Sequence, residues 1–496
     1  MLRSGLLIVL SLLAIYSVGG IFVPVAMPAI TYVLGSPVTF ATHTELESYG
    51  FQWGPSDGQF GGIPTGGGNY KFYGMAHSNS GCAGTPNVSG VFTFTGTLDH
   101  VTGSDGCRRL FGPGDGPPGW VFDRDYAGGG QVVPFEGGGK KGWLMPFHGE
   151  FHWKNMANPP SYLCGIGQTA SQFPCYYGGI GLALSTDGGA TFRVVGQIMQ
   201  PSPPLSAFQG SPSSMDVGYG NLIVADANGK HLDNPAPNPN GAYFYLFFTD
   251  RATGSTGGCA VYNCPGVARA TYADVIAAAF SGDPAKVATV FHKYDGASPD
   301  PWTQLATSDT PDLSGTAGKF APLWTDDAAF EVSVIYDRSF DVYLATYGSL
   351  SVKVRASNDL IHWSEPIGPP YSESGNFLAY PTLLGETGDP TIAGSAPRIY
   401  FTSFPTNTFP DYAKSTFESI QLTLVGQSST FASSIRSSIS ASSVRSNTLT
   451  STSSLIASSP TPGSTVNLQY VSLFVGAVVI VVVGVVLLRK RSRKTS

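Results

Sequence analysis

An all-β fold made of repeated small sheets is predicted by three observations in this 496-residue chain. Two stretches end a strand with nearly the same turn: Ser185-Thr186-Asp187-Gly188-Gly189-Ala190-Thr191-Phe192 reads S-x-D-x-G-x-T-F, and Ser357-Asn358-Asp359-Leu360-Ile361-His362-Trp363 reads S-x-D-x-x-x-W. Strand-like runs bounded by Gly, Pro, Asn and Asp dominate residues 36–425, while helical periodicity is confined to residues 272–280. The runs also fall into comparable groups. In each turn the Asp carboxylate accepts backbone N–H groups and the aromatic ring packs back on the hairpin; in the first, Gly supplies the positive φ. A turn reused at the same place in a repeated sheet predicts a β-propeller, here with five blades and with six as the alternative. A two-sheet sandwich also shows short, evenly spaced strands and is the structural competitor.

In chain order, residues 40–121 supply the first blade, with 91–97 its clearest strand. Runs 130–135, 142–153, 180–185 and 193–199 form the second, and runs 221–226, 242–250, 266–271 and 288–294 the third. Runs 330–336, 341–347, 351–356 and 363–367 form the fourth. The fifth has 377–384, 398–404 and 419–425 and is one strand short, so an N-terminal strand is expected to complete it and close the ring.

The ends are not globular. Residues 1–35 carry Arg3 and an apolar run broken by Gly19, Gly20, Pro24 and Pro28, which reads as a signal peptide or an uncleaved signal anchor. Residues 426–467 are mostly Ser and Thr, a solvated stalk either O-glycosylated or left as a plain spacer. Residues 468–488 form an apolar run long enough to be a transmembrane helix, and the basic tail 489–496 behind it belongs in the cytoplasm. Both readings of the start place the ectodomain, residues 36–425, outside the cell membrane.

The six cysteines fall as near neighbours, Cys82 with Cys107, Cys164 with Cys175 and Cys259 with Cys264, which predicts three disulfide staples rather than a zinc site. Asn87-Val88-Ser89 is an N-glycosylation sequon. With 27 Lys and Arg against 33 Asp and Glu, and no basic run in the ectodomain, nucleic acid is excluded as a partner.

Chemistry is expected where loops lead into the inner strands and converge at one mouth. Those loops carry Asp125 and Tyr126, then Asp216 and Tyr219, then Asp326, Asp327 and Glu331, and finally Glu373. Carboxyl groups facing one another across a mouth suit glycosidic hydrolysis, one as acid and one as base or nucleophile; the plainer alternative is that they tie down loops. The segment His148-Gly149-Glu150-Phe151-His152 puts His148, Glu150 and His152 on one face of a strand. That face is an acid/base cluster or a hydrogen-bonded patch, since two imidazoles and one carboxylate do not complete a metal site. Tyr126, Trp153, Tyr219, Arg251 and Tyr380 lie near the same strand ends and suit sugar binding. No cofactor is required; calcium at the acidic loops is the one metal left open.

The S-x-D turns resemble the Asp-box of sialidases and related propellers, where the motif is structural and sits on the outer rim. The arginine triad and the paired Tyr/Glu nucleophile of sialidases are not found. The stretch SNDLIHWSEP resembles strand ends of five-bladed glycosidase-like propellers, and FDRDYAGGGQVV, LMPFHGEFHW, GLALSTDGGATF, AYFYLFFTDR and GVARAT are similar to those propellers across about four blades. In them an Asp, a second Asp and a Glu act as base, modulator and acid. By position the resemblance implies Asp125, Asp216 and Glu331, although the acid motifs themselves are not reproduced. It implies a membrane-anchored glycoside hydrolase or glycan-binding protein with Glu331 or Glu150 as acid and Asp125 as base, acting on carbohydrate or a cell-surface glycoconjugate. A non-catalytic adhesin or envelope module is the alternative.

Overall fold

The structure, a computed structural model, describes residues 30–54, 57–82, 84–152, 176–208, 215–251, 263–348, 350–405 and 411–426. Strands β1 (Ile30–Leu34) and β2 (Val38–Thr42) lead into a short helix, His43–Ser48, capped at Thr42. Thereafter the chain builds antiparallel modules, each from hairpins between neighbouring strands.

The first module holds β3 (Phe51–Trp53), β4 (Gly61–Gly66), β5 (Asn69–Ser78), β6 (Ser89–Gly96), β7 (Val101–Gly103) and β8 (Arg109–Phe111). The second places β9 (Tyr126–Gly128) and β10 (Val133–Gly137) on β11 (Lys140–His152), followed by β12 (Tyr176–Ser185) and β13 (Arg193–Met199). The third runs β14 (Met215–Asp226), β15 (Ala242–Asp250), β16 (Cys264–Thr271), β17 (His292–Lys293) and β18 (Gln304–Leu305). The fourth has β19 (Ser333–Asp337), β20 (Val342–Gly348) and β21 (Val352–Ser357). In the fifth, β22 (Asn376–Leu384) pairs with β24 (Arg398–Pro405) and β24 with β25 (Thr416–Gly426), while β23 (Ile392–Ala393) runs parallel to β19.

The N-terminal strand completes the fifth module as expected, but in two pieces. β1 covers β25 from Gly426 to Leu422 and β2 covers it from Ser419 to Thr416, with the interruption falling at Gly35-Ser36-Pro37. Proline lacks the N–H that a ladder needs, which accounts for a break there. The ladder therefore starts at Ile30, inside the segment 1–35 that composition alone assigns to a signal peptide or anchor. Phe40 is fully buried at the seam between the last and first modules, its ring 4.9–5.6 Å from those of Phe60, Phe72, Tyr400 and Phe417.

Most expected strands form within a few residues of their predicted bounds. The run 288–294 does not: Asp283 caps a short helix, Pro284–Ala288, by accepting the Ala285 N–H, and only His292–Lys293 is left to pair. An Asp-Pro helix start outweighs the apolar alternation there. The fourth edge of module four, expected at 363–367, is reduced to single contacts: Ser364 N–H to Ala356 O at 2.9 Å and Ile367 N–H to Val354 O at 2.9 Å.

The S-x-D turns follow β12 in the second module and β21 in the fourth. Asp187 accepts the Ser185 hydroxyl at 2.8 Å and the Thr191 N–H at 3.0 Å, with Gly188 and Gly189 at positive φ. Asp359 accepts the Ile361 and His362 N–H groups at 3.0 and 2.8 Å, and here Leu360, not glycine, carries the positive φ of 69°. The Cys82–Cys107 disulfide is formed, and Cys264 is disulfide-bonded. Cys164, Cys175 and Cys259 lie outside the described residues, as do the stalk, the apolar segment 468–488 and the basic tail. Among the described residues no helix is long and apolar enough to cross a membrane.

A buried polar hub joins all five modules. Gln59 Nε2 donates to Val332 O at 2.8 Å, and Phe60 N–H to Thr382 Oγ1 at 3.3 Å. Gln131 Nε2 donates to Leu383 O at 3.1 Å, and Leu383 N–H to Ser333 Oγ at 3.0 Å. Asn221 donates to Gln131 Oε1 and to Val334 O at 2.8 Å, and accepts the Val334 N–H at 2.9 Å. Gln59, Gln131, Asn221, Ser333 and Thr382 are all essentially without solvent exposure. Buried polar groups that lose their partners cost their full desolvation. Asn221→Leu, which orphans both Val334 backbone groups and the Gln131 oxygen, is therefore expected to lower unfolding free energy by about 2–4 kcal/mol in denaturant titration.

Candidate active site

The residues that precede or begin the inner strands converge at one end of the hub. Asp57 lies just before β4, Tyr126 opens β9, Asp216 and Tyr219 open β14, and Glu331 precedes β19. Tyr380 sits within β22 at a register shift between Ala379 and Thr382, with φ of 60°. Bulges of this kind re-aim a side chain. Glu331 also holds a positive φ, 58°, a backbone state that costs energy in a residue with a Cβ.

The strand alternation expected of His148, Glu150 and His152 holds. Glu150 lies between the two rings, Oε1 3.2 Å from His148 Nε2 and Oε2 2.6 Å from His152 Nε2. Burial alone would push its pKa up, but the two imidazole hydrogen bonds and their charge bring it down to about 2. Glu150 is thus a fixed carboxylate, unsuited to serve as the acid of the pair. His148 Nε2 also lies 3.7 Å from Asp216 Oδ1. Burial works against the imidazolium, but Asp216 and Glu150 together raise the His148 pKa.

Asp216 is placed by an unusual junction: β12 and β14 run parallel for two residues, pairing Gly178 with Asp216. A Cβ on Gly178 would collide with Asp216 Oδ1, so glycine makes room for the carboxylate. Tyr176 donates to Asp216 Oδ2 at 3.1 Å and Arg251 Nε lies 3.3 Å from the same oxygen.

Glu331 is 5% exposed, and its Oε2 has no hydrogen-bond partner among the described residues. Burial, then the charges of Asp216 and Asp57, push its pKa well above the ordinary carboxyl range, with Arg251 opposing. Its surroundings favour the protonated form.

Asp57 is the residue that the sequence reading missed. Tyr380 donates to its Oδ1 at 3.1 Å, Tyr412 donates to the same oxygen, and Tyr126 donates to its carbonyl at 2.7 Å. The Tyr126 and Tyr219 hydroxyls lie 2.6 Å apart beside it. Burial and then the Glu150 charge raise the Asp57 pKa, against the hydrogen bonds from the tyrosines. Its signal in the sequence is positional: Asp57-Gly58 leads into an inner strand as Asp216 does, but the glycine-rich stretch that follows hides that strand. Asp125, the expected base, instead accepts the His152 backbone N–H at 2.7 Å and donates its own N–H to Glu150 O at 3.0 Å, tying its loop to the end of β11. Trp153 lies outside the described residues. Glu373 is held apart from this group by Tyr371 and Asn376, at 2.7 and 2.9 Å. Asp326 and Asp327 pair with Arg355 and Lys353, each at 2.6 Å. Among the described residues no group of three His, Cys, Asp or Glu side chains has the geometry to hold a metal ion.

No protein-family model and no curated protein matches the chain. Among solved structures it is similar to a GH62 hydrolase in complex with xylotriose, at 10% identity and a TM-score of 0.40 over 79% of this chain and 97% of that one. It is also similar to the catalytic domain of the GH62 α-L-arabinofuranosidase of Coprinopsis cinerea, at 9% identity and a TM-score of 0.40 over 80% and 98%. A third is a family 117 glycoside hydrolase of Zobellia galactanivorans, at 9% identity and a TM-score of 0.39 over 80% and 91%. The chemistry of the present chain is set by its own side chains.

Two stability effects follow with opposite pH dependence. Glu331 binds its proton more tightly folded than unfolded, so its stabilising contribution is present below about 4.5 and is lost as pH rises toward its folded value. Glu331→Gln is expected to be more heat-stable than wild type, by a margin that widens between about pH 5 and pH 8; a margin independent of pH would contradict the assignment. Glu150 has a depressed value, so its contribution is present above about 4.5 and is lost as pH falls toward about 2. Glu150→Gln is expected to cost on the order of 2–4 kcal/mol at neutral pH in denaturant melts, and progressively less in acid.

Proposed function

We propose that the body is a five-bladed propeller that hydrolyses glycosidic bonds, held outside a cell by the Ser/Thr stalk and the apolar segment 468–488. The observation that carries this reading is Glu331, a buried carboxyl whose Oε2 has no hydrogen-bond partner among the described residues and which feels the Asp57 and Asp216 charges. Glycosidic hydrolysis needs two neighbouring carboxyls, one to give a proton to the leaving oxygen and one to take a proton from water. The five modules linked through one polar hub support the blade count, and the edge strand β1–β2 supports closure of the ring.

In the proposed reaction Glu331 gives its proton to the leaving glycosidic oxygen as the bond to the anomeric carbon breaks. Asp57 takes a proton from the water that attacks that carbon, so the pair ends with Asp57 protonated and Glu331 ionised. Exchange with solvent restores both. Asp216 does not react; its charge keeps the proton on Glu331 until the leaving oxygen needs it. The role read from sequence onto Asp125 passes to Asp57, and Asp125 secures the loop behind it. The tyrosines Tyr126, Tyr176 and Tyr219, with His152 and His148, line the space in which a sugar would sit.

The test is release of reducing sugar from a broad panel of glycans by the full-length protein. Glu331→Gln and Asp57→Asn are each expected to lower kcat by about 10²–10⁴-fold with substrate binding retained. The kcat/KM profile is expected to be bell-shaped: its acid limb reports Asp57 losing its proton, its alkaline limb reports Glu331, and Glu331→Gln removes the alkaline limb. Binding without turnover, unchanged by both substitutions, would favour a non-catalytic adhesin.

A further inference from the structure

Module five contributes no carboxyl to the proposed reaction, yet it sends two phenols into the site. Both reach one atom: Tyr380 and Tyr412 each donate to Asp57 Oδ1. Tyr126 adds a further donor beside the same carboxyl. The carboxylate is therefore pinned through Oδ1.

The phenols are themselves held. The Tyr412 ring stacks on Trp53, with centroids 5.0 Å apart and planes 21° from parallel, and meets Phe404 edge-on at 5.2 Å. Trp53 in turn stacks on His77 at 5.9 Å. Tyr380 packs between Tyr219 at 5.8 Å and Phe330 at 6.0 Å, and its positive φ aims it at Asp57. A wrong rotamer of either ring would break these contacts, so the two O–H groups are preorganised donors.

We propose that Tyr412 and Tyr380 are positioning residues for the base: by holding Oδ1 they fix the orientation of the Asp57 carboxylate, so that Oδ2 is the oxygen left to take the proton from water. This rests on the hydrolytic reading above. The groups that face Asp57 are Tyr412, Tyr380, Tyr126 and Tyr219, with the Glu150 and Glu331 carboxyls acting across the same space. Glu150 and burial both favour a protonated Asp57, and only hydrogen-bond donors oppose them. Two donors on one oxygen stabilise the carboxylate and leave the other oxygen to accept a proton.

Tyr412→Phe and Tyr380→Phe keep each ring and remove only the hydroxyl. Each is expected to move the acid limb of the kcat/KM profile up by about half to one pH unit, which lowers kcat/KM below the limb about three- to tenfold. The plateau and KM should change by no more than about twofold, and the double variant should move further. In parallel, a 13C-carboxyl NMR titration of the full-length protein, with the Asp57 signal assigned by its loss in Asp57→Asn, should show Asp57 titrating higher in each variant. A uniform loss of rate at every pH with an unmoved Asp57 titration would overturn the proposal. A moved titration in a protein that cleaves no glycan would uphold the clamp and sink the hydrolytic reading instead.

Discussion

Burial of polar side chains on the hub axis is the constraint on which the rest of this structure depends. The inner strands meet out of reach of solvent, and Gln59, Gln131, Asn221, Ser333 and Thr382 satisfy backbone groups of neighbouring modules. An amide in the wrong register would leave several donors and acceptors orphaned at once, so the hub specifies one rotation of each module against the next. The consequence for the site is direct. Asp57, Glu331 and Tyr380 each stand two residues ahead of a hub residue, and Tyr126 and Asp216 each stand five ahead. Fixing the hub fixes the height at which each of these side chains emerges.

On that frame the electrostatics separate chemically similar groups. Glu150 and Glu331 are both glutamates enclosed by protein, yet one is surrounded by imidazoles and the other by carboxyls. The first is pushed toward the ionised form and the second toward the protonated one. Arg251 spends its charge on Asp216, which itself raises Glu331. The arrangement costs stability: a carboxyl oxygen without a hydrogen bond and two side chains on positive-φ backbone are features that packing alone would remove.

Much of the fold was legible in sequence because its signals are local. Alternation located β13 and β15 to the residue, and the two S-x-D turns form the expected carboxylate-to-backbone bonds. His148, Glu150 and His152 were legible for the same reason, since period two is a property of the strand itself. Asp57 was not, because Gly61-Gly62-Ile63-Pro64 gives β4 almost no alternation, and its role depends on Tyr412 more than 350 residues away. Glu331 was singled out with the other acids of the entry loops, but nothing local distinguishes its environment from that of Glu150. Leu360 and Tyr380 adopt positive φ because tertiary contacts hold them there, and no propensity announces that.

The register that sets Ile30 opposite Gly426 has a bearing on where the chain tolerates a cut. Tyr32 is buried and its hydroxyl reaches Pro369 O, so β1 is sealed to the body along its length rather than draped over it. A chain cut after β1 would bare the outer edge of β25, an unpaired ladder to which a second molecule could add itself.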